Sequence, residues 1–162
     1  MNRDPVKINK LDKRYMSDTK LTLQSTAILN NGTAIPHIGL GVWKVPDGKT
    51  VQGAVTWALQ AGYRHIDTAM IYRNETGVGR ALAASKIPRE EIFVTTKLWI
   101  ADQGYDTALA AIDASLARLG LNYVDLYLIH WPFANEEKTA EKRPATWSAM
   151  EEILKAGKAR AI

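Results

Sequence analysis

Three segments of this chain end in a carboxylate, an ammonium and an imidazole. YRHID ends in Asp67, IFVTTK in Lys97 and VDLYLIH in His130, each after a run of apolar or small residues. Such runs read as strands, so neighbouring strands would deliver the three groups to one rim. Tyr72 stands five residues beyond Asp67, on the loop that leaves the same rim. Singly, an Asp at a strand end is a turn or cap residue, a Lys is a solvated cation and a Tyr is packing. Together they can move a proton. A lysine cation beside a phenol favours the phenolate and lowers a pKa that is ordinarily about 10, and Asp67 would hold that lysine charged and aimed. The phenol then acts as a general acid toward a carbonyl oxygen on which negative charge develops, and His130 donates a second hydrogen bond to that oxygen. The group contains neither a nucleophile nor a metal-ligand set. A hydride from a reduced nicotinamide is the expected attacker of the carbonyl carbon.

The elements that must carry these residues alternate in type. Short apolar runs flank Asn31-Gly32, a dipeptide suited to the positive φ angles of a tight hairpin turn. A β-hairpin is expected to open the fold. Strand-like GLGVW at 39–43 then precedes helix-like TVQGAVTWALQAG, followed by YRHID at 63–67, the GVGRALAAS region, and IFVTTK at 92–97. Val51, Val55 and Leu59 form one apolar stripe, and Leu109, Ile112, Leu116 and Leu119 form another. Gly62 and Gly120 stand where helix C-caps belong. VDLYLIH at 124–130 gives a fourth strand, TWSAMEEILKAG a fourth helix closed by Gly157, and KARAI begins a fifth strand. Strand starts near 39, 63, 92, 124 and 159 are spaced as repeated βα units require, which predicts a parallel sheet. Both GLGVWK and GVGRAL contain Gly-x-Gly, but Lys44 and Leu82 occupy the place of the third glycine in a Rossmann fingerprint. The barrel is therefore preferred to the open nucleotide-binding sheet, and Gly77 and Gly79 are read as serving tight turns and close packing.

Composition narrows the classes. The 162 residues are 46% hydrophobic and 23% charged, enough to bury a core, and the absence of cysteine removes disulfides, thiolate nucleophiles and thiolate metal sites together. With His37, His65 and His130 as the whole histidine complement, no metal site is expected. The formal charge of +4 invites a nucleic-acid reading, but residues 1–20 carry six basic and three acidic groups, and the rest of the chain is near balance. Nucleic acid is not an expected partner. Residues 1–20 read as a basic, disordered leader, with Met16 an alternative start, and residues 21–162 as one folded unit. No apolar stretch suits a membrane helix or a secretory signal, so the expected location is cytoplasmic.

GYRHIDTAMIYRNETGVG at 62–79 resembles the first signature of the aldo-keto reductases, VTTKLW at 94–99 their lysine strand and VDLYLIHWP at 124–132 their histidine strand. The likeness runs from about Leu21 to Ile162, and the chain resembles members of the prostaglandin F synthase and 2,5-diketo-gluconate reductase type. It implies a (β/α)8 barrel and NADPH-dependent reduction of an aldehyde or ketone. The implied catalytic tetrad is Asp67, Tyr72, Lys97 and His130. The resemblance also implies that Gly41, Val42, Trp43 and Asp67 border the cofactor, and that Trp43, Trp99, His130 and Trp131 line a pocket for a small carbonyl substrate. Trp57 and Trp147, which fall inside helices, are expected to pack.

A complete barrel of this type takes about 250 residues. These residues supply four βα units and the start of a fifth strand, so they are expected to form the N-terminal half of a reductase. The half would lack the serine–asparagine pair and later loops that the resemblance implies for the cofactor, and would be weakly active or inactive alone. It would also expose strand edges and the Leu126–Leu128 layer to self-association. A non-catalytic cofactor- or partner-binding module of the same fold remains an alternative. A Schiff-base aldolase using Lys97 is disfavoured, since Asp67 would stabilise the cation that such chemistry must neutralise.

Overall fold

The computed structural model describes residues 20–132 and 136–162. The leader expected at 1–20 lies, but for Lys20, outside the described residues. Strands β1 (Thr26–Ile28) and β2 (Ala34–Pro36) pair antiparallel as the expected hairpin. Its turn differs from the expected form. Gly32 alone of the pair Asn31-Gly32 takes a positive φ, at 86°, and donates to the Leu29 carbonyl, while the Leu29 amide donates to Thr33. This is a longer loop with one left-handed residue, in which Asn31 caps Thr33 with its side chain instead of turning left-handed.

Four further strands, β3 (Leu40–Gly41), β4 (His65–Asp67), β5 (Phe93–Leu98) and β6 (Leu126–Ile129), form one parallel sheet in sequence order. That order decides the architecture. A doubly wound sheet reverses direction at a switch point and covers both faces with helices, whereas a sheet that always adds its next strand on the same side, by right-handed crossovers, puts every helix on one face. Here α1 (Lys49–Gln60), α2 (Glu75–Ala84), α3 (Tyr105–Leu119) and α4 (Glu136–Lys155) each pack against the next. The result is a partial (β/α)8 barrel. The expected fifth strand also begins: Val124 and Ala159 form a parallel bridge, and the Tyr127 amide donates to the Ala161 carbonyl at 3.0 Å.

The core lies between the sheet's outer face and the helix layer. Val51, Val55 and Leu59 of α1, and Ile112, Leu116 and Leu119 of α3, are buried against Ile66, Val94, Leu98 and Tyr127. The apolar stripes read from the sequence are thus the faces that pack. Gly62, Gly120 and Gly157 all take positive φ just past helix ends. Gly77 and Gly79 serve close packing: a Cβ on Gly77 would strike Val51 and Asp47, and one on Gly79 the Leu119 backbone.

Two expectations fail here. Trp57 and Trp147 are 72% and 48% exposed, because both lie off the buried stripes of α1 and α4. In addition α4 begins at Glu136, ten residues before the apolar pattern, and runs through Pro144. The early turns carry too few apolar residues to announce a helix. Thr146, 1% exposed, ties this helix down: its hydroxyl donates to the Lys142 carbonyl and accepts the Gly104 amide, both at 2.9 Å.

Candidate active site

The register of the parallel sheet places Asp67 beside Gly41 on one side and Thr95 on the other, with Lys97 across from Leu128 one pleat further. Alternation along β5 sends Val94, Thr96 and Leu98 toward the helices and Thr95 and Lys97 to the opposite face. Lys97 is 9% exposed. A cation so buried needs partners, and it has two: Nζ donates to Asp67 Oδ1 at 2.6 Å and to the Thr68 carbonyl at 2.9 Å.

Beyond β4 the chain makes a short 3-10 turn, Met70–Tyr72, closed by Arg73 in the left-handed region at φ 57°. That turn brings Tyr72 back over the strand ends. Lys97 Nζ lies 5.1 Å from the centre of the Tyr72 ring. On the other side the His130 ring meets the Tyr72 ring edge-on at 5.5 Å and Trp99 edge-on at 5.5 Å, and stacks with Trp131 at 6.4 Å. Asp67, Tyr72, Lys97, His130, Trp99 and Trp131 are therefore one cluster. Burial and, secondarily, the Lys97 charge lower the pKa of His130 below its ordinary 6.5, against a smaller pull from Asp67. The imidazole is neutral at neutral pH, and its buried Nδ1 has no partner among the described residues.

The β3 end contributes less side-chain chemistry than expected. Val42 is fully buried in the core, with its amide donated to the Asp67 carbonyl, so it offers the site shape alone. Gly41 faces open space where a Cβ would stand. Trp43 is 65% exposed and carries the Lys44 ammonium 4.5 Å over its ring, outside the aromatic cluster around His130.

Sequence reading missed the polar residues beneath the rim. Asn74 and Glu75 open α2, where Asn followed by an acid reads as ordinary helix capping. Asn74 makes no side-chain cap bond. It is fully buried and reaches across to the β3–α1 loop. Glu75, 1% exposed, accepts from Thr96 Oγ1 and from Arg118 Nε, each at 2.6 Å, locking α2 to β5 and α3. Three adjacent polar residues (Arg73, Asn74, Glu75) ahead of a helix of small residues were the available signal.

Comparison with known proteins agrees with this geometry. The family model described as "Aldo/keto reductase family" matches residues 37–162. An aldo-keto reductase of Mycolicibacterium smegmatis is 55% identical over 134 residues, covering 83% of this chain and 47% of the relative. Glyoxal reductase of Bacillus subtilis is 50% identical over 141 residues, covering 87% and 49% respectively. Among solved structures, the aldo/keto reductase from Brucella melitensis superposes with a TM-score of 0.78 at 48% identity, over 84% of this chain and 51% of that one. The Bombyx mori aldo-keto reductase in complex with NADP gives 0.75 at 39% identity, over 84% and 48%. The chain spans about half the length of the curated relatives it matches. A partial parallel barrel, an acid–lysine–tyrosine–histidine cluster on one rim and these matches place the chain in the aldo-keto reductase family.

Proposed function

We propose that these residues form the catalytic rim of an NADPH-dependent carbonyl reductase, with Tyr72 as proton donor. The carrying observation is the arrangement around Lys97: bound to Asp67 at 2.6 Å, 5.1 Å from the Tyr72 ring centre, with His130 on the ring's other side. When bound, the nicotinamide supplies the hydride to the carbonyl carbon. The rim fits that cofactor at its nicotinamide end: Gly41 leaves open space beside Asp67, and Gly41, Trp43 and Asp67 would border the ribose.

Tyr72 gives its hydroxyl proton to the carbonyl oxygen, so that alkoxide becomes alcohol and phenol becomes phenolate. The Lys97 ammonium, held in place by Asp67 at 2.6 Å, compensates the phenolate. His130, neutral, has one N–H to direct at the same oxygen, and Trp99 and Trp131 give the substrate apolar walls. The Lys97–Asp67 pair also disfavours the Schiff-base alternative, since an amine must shed its proton to attack a carbonyl.

The test is a chimera in which residues 21–162 replace the matched half of the Bacillus subtilis glyoxal reductase. Loss of reduced-nicotinamide absorbance with a nitrobenzaldehyde reports turnover. The chimera is expected to turn over, and Tyr72→Phe to lower kcat by about 10²–10⁴, the range of a lost general acid. Full activity in Tyr72→Phe would refute the assignment. Calorimetric titration with NADPH separates the binding-module reading, which expects affinity with no turnover in the chimera.

A further inference from the structure

Asn74 is fully buried, and all three of its side-chain bonds are made to loops of the rim. Its Nδ2 donates to the Val42 carbonyl at 2.9 Å and to the Val45 carbonyl at 3.0 Å, and its Oδ1 accepts the Thr68 hydroxyl at 2.8 Å. The first two partners bracket the turn that carries Trp43 and Lys44; the third is the residue after Asp67. Each loop that meets at Asn74 also holds a non-glycine residue in the left-handed region: Lys44 at φ 61° and Arg73 at φ 57°. Such conformations persist where the surroundings over-determine them. One amide engaging both loops is that kind of constraint: releasing it would leave the part-buried Val45 carbonyl and the buried Thr68 hydroxyl without this partner, and the Val42 carbonyl with the Val45 amide alone.

We infer that Asn74 is a positioning residue, a strut that fixes the Gly41–Val42–Trp43 lip relative to the Tyr72 loop. It touches no reacting atom. On the proposed function, which this inference takes as its basis, that spacing is the distance between cofactor and proton donor, and small errors in such distances are costly.

The test uses the full 162-residue chain with 5-fluorotryptophan incorporated and the Trp43 fluorine resonance identified by Trp43→Phe. Asn74→Asp keeps the side chain's shape but replaces its two donors with an acceptor facing two carbonyls. The expected result is a shifted or split Trp43 resonance, with those of Trp57 and Trp147 unmoved and the circular dichroism unchanged. Faster amide exchange should accompany it in both the 42–48 and 68–74 segments. Lys44→Gly in the Asn74→Asp background removes the strain the strut opposes and should return the resonance toward a single line. Should Asn74→Asp not fold, Thr68→Val removes the third bond alone and should move the Trp43 signal in the same direction. A lowered unfolding midpoint with the Trp43 line unmoved in the folded protein would make Asn74 merely structural and overturn the inference. Titration with NADPH tells the two proposals apart. Failure of the chimera to bind, with the Trp43 line of the 162-residue chain still responding to Asn74→Asp, would count against the cofactor lip and leave the strut standing.

Discussion

Lys97 has three N–H donors, and two are committed, to Asp67 and to the Thr68 carbonyl. Replacing it with Met leaves the Asp67 carboxylate, whose side chain is 32% exposed, able to turn to water, and leaves Tyr72 without a cation. In the chimera, Lys97→Met is therefore expected to fold and to lose activity about as far as Tyr72→Phe, by roughly 10²–10⁴. Circular dichroism and the nicotinamide assay check the two halves of that statement. The histidines carry a separate prediction. Burial is the main cause that lowers the pKa of both His65 and His130 below 6.5, so the unfolded chain binds these protons more readily than the folded one. Their contribution to stability is present above pH 6.5 and is lost as pH falls through the folded-state values. Urea midpoints should drop over that window, and His65→Gln together with His130→Gln should flatten the drop. The meeting of Asp67, Lys97 and His130 on one rim was legible in the sequence because strand ends show as a polar residue after an apolar run. Asn74 and Glu75 were not legible, since a residue that braces a distant loop and one that caps its own helix look identical along the chain.

Among the helices, the glycines separate packing from propensity. A Cβ on Gly79 would meet the Leu119 carbonyl carbon at 2.6 Å, backbone against backbone, where α2 crosses the end of α3. Gly79→Ala is expected to cost about 1–3 kcal/mol. On α1, Gly53 offers its Cβ nothing nearer than Trp57 at 3.9 Å, so Gly53→Ala should stabilise by about 0.5–1 kcal/mol through helix propensity. Chemical denaturation of the two variants should move in opposite directions. A third case is electrostatic. Glu75 is 1% exposed and relies on Arg118, so Arg118→Met strands a buried carboxylate and should cost on the order of 3 kcal/mol. Periodicity exposed the stripes of α1 and α3 because four-residue spacing of Val and Leu has one meaning. It also placed Trp57 off the stripe, which the bare expectation that tryptophans pack overlooked. The first turns of α4 were hidden, since EEKTAEKRPA gives a burial pattern nothing to read.

For the whole molecule, strand order is the decisive fact, because a sheet in sequence order with helices on one face leaves β3 at one edge, and the short 158–161 segment that pairs with β6 at the other, ready to pair. We expect the 162-residue chain alone to show no appreciable turnover and to associate with rising concentration in sedimentation experiments. A single monomeric species across the concentration range would count against that. The hairpin loop and the segment that bridges β6 are also joined directly: Asn31 Nδ2 donates to the Arg160 carbonyl at 2.6 Å, across 129 positions of sequence. During synthesis the hairpin leaves the ribosome long before its acceptor exists. Its base meets the chain early, through His65 at the Pro36 backbone, but the bond at its tip waits while four βα units are made and is the kind of distant contact that forms slowly. The tip of the first structure this sequence spells is thus among the last parts to be fastened.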